Sequence, residues 1–463
     1  HHETKAPFYR NVHTPDRRLP PAAPPASGSY RRHEACAVSR NPPLSLAGFP
    51  SEPSKISLCS LHSINEGCNR MEIRAPHPTE LDEMLELMCR AFDLDVELAR
   101  DIFYSDPFFD LLERRVLVEK GKVISCLTIV PGVMALGNAR VPVAGIAGVA
   151  TDEAFRRRGY AGALLRDTIK WLYDKRTPLS MLYPFSPHYY RKFGWEIASV
   201  EWSCEIPSRL LPPYSESRFV RPYHAGDLAQ LRRLHDVYLH NTTGSFEREP
   251  ARWQWILRQQ YQTVVAEFYG STEGYMIYEV QSGRNRVEVR EMIFITSRAQ
   301  RALIGFLSSA NIAEKVGVYA PVYRIQQWST WLTDNADELL MQAQGYLRPT
   351  YMLRIIYLPA LIEHLRPHWR DWQGAIRLTV DDGFAPSGKH QVLLTGQGTD
   401  TPTRPTGWAQ GGIHTWSQIV GGYLAPSEAY SAGLITLSDP SIAEILDDLF
   451  PKYYPFTTLA ERF

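Results

Sequence analysis

Apolar residues recur with a clear period only after residue 71, where they predict alternating helices and strands. Helical spacing begins behind Thr79-Glu80-Leu81-Asp82, a segment typical of a helix start with a capping box. Alternating or continuous apolar runs predict the strands. We predict helices at 81–92, 95–104 and 163–172 and strands at 71–74, 115–119, 123–130, 141–151, 179–182 and 195–205.

A weak internal repeat follows this first α/β unit. Ile73-Arg74 precedes Glu80-Leu81, and Val220-Arg221 precedes Asp227-Leu228 with the same spacing. Strands near 275–280 and 287–294 and a helix near 299–313 continue the second copy. Duplication of one unit explains this pattern better than chance.

The pattern changes again after about residue 354, which indicates a small third domain. We predict strands at 374–381 and 390–395, a loop at 396–412, and helices near 359–365, 416–421 and 440–449. Residues 1–70 contain Pro-Pro-Ala-Ala-Pro-Pro and no lasting period, so we expect them to be disordered or a non-native leader. The predicted domains are therefore 71–207, 208–352 and 353–463.

Bulk composition excludes some classes of function. The chain has 463 residues with 50 basic and 50 acidic ones, so no net charge favours nucleic acid or an acidic membrane. The most apolar region is interrupted by Pro131, Asn138, Arg140 and Pro142, so it does not predict a membrane span. No Cys or His spacing is typical of a metal site, and buried, reduced cysteines indicate a cytoplasmic protein.

One segment carries a specific chemical signal. Gly148-Val149-Ala150-Thr151 ends a predicted strand, and Arg156-Arg157-Arg158-Gly159-Tyr160-Ala161 then leads into an apolar helix. Exposed N–H groups at a helix start bind anions, glycine permits close approach of the backbone, and arginines add charge-assisted donors. The sequence predicts a pyrophosphate site here; the alternative is a basic surface turn.

This stretch resembles the Arg/Gln-x-x-Gly-x-Gly/Ala loop of the GNAT acetyltransferases, which binds acetyl-CoA. With the duplicated unit and the extra C-terminal domain, residues 71–463 resemble the Eis-like (enhanced intracellular survival) family. The resemblance implies an α+β (mixed α/β) fold with two GNAT-like domains in tandem, the second degenerate, and a small domain like sterol carrier proteins. It also implies a homo-oligomer, a hexamer in that family.

The resemblance assigns site residues one by one. Val149, Ala150 and Thr151 would pair with the pantetheine amides, and Arg156, Arg157, Arg158, Gly159 and Ala161 would hold the pyrophosphate of acetyl-CoA. Tyr190, in Tyr190-Arg191-Lys192-Phe193-Gly194-Trp195, would be the general acid. The terminal carboxylate of Phe463 would be the general base. For both of the latter the alternative stays open: a packed tyrosine and a frayed chain end.

The implied chemistry is transfer of an acetyl group from acetyl-CoA to a primary amine. Tyr190 could protonate the thiol leaving group, and a strand N–H near Val149 could stabilise the oxyanion. A terminal carboxylate has an ordinary pKa of about 3.3–3.7, so as a base it needs burial or a relaying water. The implied acceptor is a small molecule of the aminoglycoside or polyamine type, although Arg462 beside the terminus disfavours a polycation.

Two other functions remain: a protein or peptide lysine acetyltransferase, and a non-catalytic carrier of an apolar ligand. The second unit reads Ser297-Arg298-Ala299-Gln300-Arg301-Ala302-Leu303 at the equivalent turn, with no glycine, so we expect it not to bind the cofactor. Weaker candidates are more typical of structural roles: Asp93, Asp95, His188, Trp253, Trp255 and Tyr261.

Overall fold

The computed structural model describes residues 71–106, 109–258, 261–309, 312–322, 344–369, 372–396 and 404–463. The predicted leader at 1–70 lies outside these residues. Two seven-stranded sheets and one four-stranded sheet carry helices on their faces, which confirms the α+β class with two tandem units and a smaller C-terminal domain. None of the helices described is both long and apolar enough to cross a bilayer.

The first α/β unit follows the predicted order. On its first helix Met84, Leu85 and Met88 are buried, because their spacing places them on one face. The elements are β1 (Glu72–Arg74), α1 (Leu81–Phe92), α2 (Val96–Ser105), β2 (Arg114–Glu119), β3 (Lys122–Leu136), β4 (Ala139–Thr151), α3 (Tyr160–Asp174), β5 (Leu179–Leu182), α4 (Pro187–Arg191) and β6 (Glu196–Ile197).

After one additional strand, the second α/β unit repeats the element order of the first unit from β1 to β5. Its elements are β7 (Val200–Pro207), β8 (Val220–Pro222), α5 (Leu228–His240), α6 (Pro250–Arg258), β9 (Gln262–Phe268), β10 (Ser271–Gln281), β11 (Arg286–Phe294), α7 (Ser297–Ser309), β12 (Lys315–Pro321) and β13 (Gln344–Pro349).

The short repeat in the sequence has a structural counterpart. Arg74 donates two hydrogen bonds to Glu80, at 2.7 and 2.8 Å, and Arg221 donates two to Asp227 at the same distances. Each acid also accepts from a backbone N–H three residues earlier, at His77 and His224. The capping box therefore belongs to the short 3-10 turn Pro78–Glu80, which leads directly into α1, and the predicted box beginning at Thr79 is wrong because α1 itself has no side-chain cap.

The two seven-stranded sheets exchange one strand each. The first sheet has the order β1-β2-β3-β4-β5-β14-β6, with β14 (Met352–Ile355) arriving from beyond the second unit. The second has the order β8-β9-β10-β11-β12-β7-β13, so β7 leaves the first unit for the second. The single strand predicted at 195–205 is therefore wrong, because its apolar run hides a break near Ala198 and a change of sheet. The domain boundaries at 207 and 352 remain predictions. The exchanged strands β7 and β14 lie next to these two positions in the sequence.

The C-terminal domain has a mixed four-stranded sheet with helices on it. The predicted loop at 396–412 is wrong at its end, where the strand Gly407–Gly412 pairs in parallel with the strand Ala375–Asp381. A Cβ on Gly407 would lie 2.3 Å from Ile442 Cδ1, so close helix packing explains the glycine that obscured the strand. The elements are α8 (Leu358–Leu365), β15 (Ala375–Asp381), β16 (Lys389–Thr395), β17 (Gly407–Gly412), α9 (Ile413–Val420), α10 (Pro426–Ser431), β18 (Ile435–Leu437) and α11 (Ile442–Leu449).

The C-terminal domain shares its core with the first unit. Val143 of β4, Leu353 of β14 and Trp416 of α9 belong to one buried cluster. The guanidinium of Arg354 is fully buried beside it and donates to both carboxylate oxygens of Asp382 at 3.0 Å. Burial disfavours the charge of Asp382, but His390 and Arg354 together lower its pKa below the ordinary value.

The last eight residues, 456–463, form the C-terminal tail. The tail returns from the third domain to the second unit, where Phe456 N–H donates to Thr243 O at 2.8 Å and Thr457 Oγ1 to Gly244 O at 3.0 Å. Ser245 Oγ also donates to Phe456 O at 3.1 Å. These bonds, with the burial of Leu459 and Ala460, show that the chain end is docked rather than frayed.

Candidate active site

The first sheet opens into a fork between β4 and β5. The two parallel strands pair only from Val143 with Leu179 to Ile146 with Leu182. Beyond Ile146 the β5 side of β4 has no strand partner within the described residues, and Val149, Ala150 and Thr151 lie on this open edge. An open edge offers N–H and C=O groups to an extended ligand that carries amides.

A β-bulge shapes the open edge. On β4, Gly148 and Val149 together lie opposite the single residue Leu127, because Thr128 pairs with Ala147 and Cys126 with Ala150. Gly148 has a φ of 59°, and a Cβ there would lie 2.8 Å from Met88 Sδ. The bulge therefore depends on glycine and turns the edge away from β5.

The basic segment after β4 is an exposed turn before α3. Arg156, Arg157 and Arg158 are exposed, and Arg157 has a φ of 65°. Gly159 caps α3 with a φ of 86°, a conformation that favours glycine. The segment is therefore neither buried nor part of the helix.

The helix start fits an anionic group. No side chain caps the first turn of α3, that turn contains no acidic residue, and a Cβ on Gly159 would have no atom within 4 Å. Ala161 is half-buried directly behind the glycine. The N–H groups of this turn and the helix dipole therefore face accessible space. Nearby, Arg156 lies 3.3 Å from Glu153 and Arg158 lies over the Phe155 ring.

Tyr190 lies beside this helix in a buried aromatic group. Its side chain is 3% exposed and belongs to the same cluster as Ile146 of β4, Leu182 of β5 and Leu164 of α3. Phe193 of the same motif packs on Gly162, where a Cβ would lie 3.1 Å from the Phe193 ring. The motif is thus packed against the helix that follows the arginine turn.

Arg354 fixes the Tyr190 motif from behind. Its Nε donates to Phe193 O at 2.8 Å, and a Cβ on Gly194 would lie 3.1 Å from the same nitrogen. Gly194 has a φ of 88°, so both the turn and the close approach need glycine. The ion pair between Arg354 and Asp382 therefore connects this motif to the C-terminal domain.

Phe463 lies on the opposite face of β4. Its ring occupies the space above Gly145, where a Cβ would overlap it at 2.2 Å. Gly145 pairs with Met181, one residue before the fork, and it adjoins Ile146, whose side chain faces the Tyr190 cluster. Because successive side chains alternate between faces, Tyr190 and Phe463 approach the fork from its two sides.

A buried ion network, which we call the tail lock, anchors the chain end. Arg248 donates to Glu291 at 2.9 Å and to Glu461 at 2.9 and 3.2 Å, with a further short bond to Glu291. His235 lies 3.1 Å from Glu461, and Thr458 donates to Glu291 at 2.7 Å. Burial disfavours the charge of Glu291, but Arg248 lowers its pKa to about 2.

The tail lock also contains the three residues that could hold a metal ion: His235, Glu291 and Glu461. Arg248 already donates to both carboxylates, so a guanidinium occupies the position next to them that a metal ion would need.

Arg462 does not project its charge to the chain end. It forms a short ion pair with Glu201, whose side chain is 1% exposed, and it lies over Tyr183 and Tyr319. The sequence argument that Arg462 disfavours a cationic acceptor is therefore weakened, because Glu201 neutralises it. Among the described residues, no basic group lies within ion-pair distance of the terminal carboxylate.

A pocket of about 550 Å³, including its open mouth, lies beside Phe463. Its walls come from β3, from α6 and the loop before it, and from the tail. Phe246 lies on Gly132, where a Cβ would be 3.0 Å from its ring, and its ring centroid is 6.3 Å from that of Phe463. Since Val130 of β3 pairs with Gly145, the pocket adjoins the fork.

The weaker candidates have mostly structural places. Asp93 ends α1 in a left-handed conformation and is exposed, and Asp95 precedes α2. Trp253 is buried against His235 and Tyr275, and Trp255 lines the pocket. Burial does not support the structural interpretation of His188, which is exposed on α4. Tyr261 lies against Arg290.

Sequence reasoning missed the residues that seat the chain end. Arg248, Glu291 and Glu461 are far apart in the chain, and Gly132 and Gly145 look like ordinary strand glycines. The sequence signal that could have revealed a docked chain end is the set of polar residues in the tail, Thr458, Glu461 and Arg462, because they do not follow the spacing of a surface helix.

The second unit has the same fork, but it is filled. β11 and β12 pair only from Arg286 with Lys315 to Glu288 with Gly317. Beyond that point the tail occupies the gap: Thr458 bonds Glu291, and Arg290 donates to Leu459 O at 3.4 Å. At the helix start Arg298 pairs with Glu273 and Arg301 with Glu216. The tail therefore gives a steric reason for the prediction that the second unit does not bind the cofactor.

Comparisons with known proteins agree with this architecture. Residues 72–198 and 244–355 each match an acetyltransferase (GNAT) domain, and residues 358–458 match a sterol carrier protein domain. The chain is therefore a GNAT acetyltransferase with two such domains in tandem and a C-terminal sterol carrier protein domain. Its domain order and fold are Eis-like, as the sequence resemblance implied.

Individual relatives are distant. An uncharacterized N-acetyltransferase of Streptomyces avermitilis is 24% identical over 288 residues, which are 57% of this chain and 67% of that protein. A GCN5-related N-acetyltransferase from Anabaena variabilis superposes with a TM-score of 0.71 at 20% identity, and Eis1 from Mycobacterium abscessus with 0.62 at 17%. Each covers 85% of this chain and 100% of its own. At such identities the likeness concerns the fold.

Proposed function

We propose that this protein transfers the acetyl group of acetyl-CoA to a primary amine of a small molecule. The observation that carries the proposal is the open β4 edge followed by the uncapped, arginine-flanked start of α3. Val149, Ala150 and Thr151 would pair with the pantetheine amides. Arg156, Arg157, Arg158, Gly159 and Ala161 would hold the pyrophosphate.

In the proposed reaction, Tyr190 and Phe463 act from opposite sides of the fork. The acceptor nitrogen attacks the thioester carbonyl carbon, a C–N bond forms and the C–S bond breaks. Tyr190 donates a proton to the leaving sulfur, and a β4 N–H stabilises the oxygen that gains charge. The proton lost by the amine passes to the terminal carboxylate of Phe463, directly or through water.

Two further properties, the cell compartment and the oligomeric state, are part of this proposal. We propose a cytoplasmic enzyme, on the strength of the buried free thiols of Cys89, Cys126 and Cys204, and a homo-oligomer by family resemblance. The alternative of an apolar-ligand carrier has one structural basis: a cavity of about 620 Å³, including its open mouth, is lined by Trp369, Ile419 and Phe450 where the C-terminal domain meets the first unit.

A pair of glycines tests the donor site. Gly159 and Gly270 both have a left-handed backbone, with φ of 86° and 81°, and a Cβ on either would meet no atom within 4 Å. Gly159→Ala and Gly270→Ala therefore impose similar strain of about 1 kcal/mol. Only Gly159→Ala should raise KM for acetyl-CoA, by about tenfold, in a thiol-release assay. Equal kinetics for the two variants would contradict the donor site.

The same assay tests the acid and the base. Tyr190→Phe should lower kcat about 100-fold or more, whereas Tyr189→Phe, beside it on α4, should retain most activity. One extra residue after Phe463 should abolish turnover while leaving acetyl-CoA binding intact. Full activity of the extended chain would refute the terminal base, and full activity of Tyr190→Phe would refute the acid.

A further inference from the structure

The pocket beside Phe463 has an unusual balance of charges for an enzyme that takes polyamines. Its charged residues are Glu247, Arg248, Arg252, Glu461 and Arg462. Three positive charges and two negative ones, with the terminal carboxylate, make the lining close to neutral. A polycation with three or more ammonium groups would need several additional carboxylates.

Each side-chain carboxylate of the lining already has an arginine partner. Glu461 accepts from Arg248 and from Phe246 N–H, so both its oxygens are engaged. Glu247 lies 3.2 Å from Arg140 Nε. The terminal carboxylate of Phe463 is therefore the one negative group in this lining, among the described residues, that has no guanidinium partner.

The third arginine of the lining, Arg252, lies at the aromatic wall. Its guanidinium lies 5.2 Å from the ring centroid of Trp255. Burial lowers the pKa of Arg252, and the carboxylates of Asp106 and Glu249 oppose that effect. Arg252 therefore belongs to the charges around the pocket that have acidic neighbours, and the class of acceptor is inferred from the other lining groups.

The rest of the lining is apolar and aromatic. Phe246, Trp255 and Phe463 supply three rings, and Ile256 and Val130 supply aliphatic surface. Such walls recognise a flat or apolar body by desolvation rather than by hydrogen bonds.

We propose that the acceptor is a primary amine with a single positive charge and an aromatic or similarly apolar body, not a polycation. The ammonium lies next to the terminal carboxylate of Phe463, and the apolar body lies between Trp255 and Phe246. This inference rests on the proposed acetyl transfer, and it replaces the aminoglycoside or polyamine type implied by family resemblance.

The test compares three primary amines on the full chain: 2-phenylethylamine, spermidine and an aminoglycoside such as kanamycin. Thiol release at saturating acetyl-CoA gives kcat/KM, and calorimetry gives binding of the same amines. We expect 2-phenylethylamine to be preferred over both polycations by at least about tenfold.

Two variants sharpen the comparison. Trp255→Ala should raise KM for 2-phenylethylamine about tenfold and leave KM for acetyl-CoA unchanged. Trp408→Ala, a change of the same size at a ring 41% exposed on β17, should alter neither. Trp255→Glu should shift preference toward spermidine, because it removes an aromatic wall and adds a carboxylate beside Arg252.

The outcomes separate the two proposals. Faster acetylation of spermidine or kanamycin would overturn the acceptor class and leave the acetyl transfer standing. Binding of 2-phenylethylamine that Trp255→Ala abolishes, without turnover of any amine, would support the acceptor class and contradict the proposed function. Failure to bind 2-phenylethylamine would overturn the acceptor class.

Discussion

The two GNAT domains of this chain differ in what occupies the same fork. In the first domain the β4 edge beyond Ile146 is open, and Gly159 presents a bare helix start to solvent. In the second domain the gap between β11 and β12 contains Thr458 and Leu459. Arginines near the helix start pair with acids in both domains, as Arg156 does in the first and Arg298 in the second. A duplicated fold can thus keep its shape while one copy leaves the fork open and the other fills it with the chain's own end.

This difference also indicates what the second domain contributes to the protein. Its filled fork holds the tail so that Phe463 reaches the first domain, where its ring lies on Gly145. Under the proposed function, the second domain therefore contributes to catalysis by positioning Phe463. The comparison can be tested by releasing the tail, by displacing its last ring, and by attempting to restore the second site.

The largest effect is expected from Arg248→Met. The change leaves Glu291 and Glu461 buried without their guanidinium, at an expected cost of about 3–5 kcal/mol in the free energy of unfolding. Urea unfolding measures it. The control is Arg301→Met, whose partly exposed pair with Glu216 contributes about 0–1 kcal/mol. Equal losses in the two variants would mean that the tail lock does not stabilise the fold.

Acid should weaken the same lock. The pKa of Glu291 is lowered from 4.5 to about 2, so its contribution is complete above pH 4.5 and is lost as pH falls towards 2. We expect a loss of about 3 kcal/mol from this group across that window. In Glu291→Gln the stability should depend less on pH there. An unchanged pH profile would show that Glu291 does not carry the effect.

Displacing the terminal ring should come next in size. In Gly145→Ala the new methyl group overlaps the Phe463 ring, and a misplacement of about 1 Å can lower kcat about 100-fold. Gly283→Ala, in open space in the second domain, is the control. Steady-state kinetics measure both. Normal kcat in Gly145→Ala would argue against a catalytic role for the chain end.

The smallest effect is expected from restoring a glycine to the second domain. Residues 297–303, predicted as a turn, belong to α7, so the position equivalent to Gly159 is Thr296, directly before that helix. Thr296→Gly gives the second domain a glycine there, but Thr458 and Leu459 still fill the fork. Calorimetry should therefore find one acetyl-CoA per chain in both the variant and the parent, with a stability cost of at most about 1 kcal/mol for the lost hydrogen bond from Ala299 N–H to Thr296 Oγ1. Two bound acetyl-CoA molecules per chain would show that the loop, not the tail, decides occupancy.

Local signals explain what the sequence could predict. The arginine turn, the Tyr190 motif and the repeated Arg74 and Arg221 pairs lie in short segments whose spacing reflects their geometry. The strand exchange and the tail lock join residues far apart, such as Arg248 and Glu461, and an apolar strand or a polar tail does not specify its partner. Glycines placed for close packing, as at Gly407, also remove the side chains on which strand prediction depends.

The exchange of β7 and β14 makes the two halves mutually dependent for their own completion. A fragment ending at residue 207, the predicted boundary, would have β5 and β6 with no strand between them, and the separated second half would lack β7, the strand next to β12. We therefore expect neither half to be soluble when expressed alone. Nascent chains must wait for residues past 355 before the catalytic sheet can close, which favours slow, late and cooperative folding.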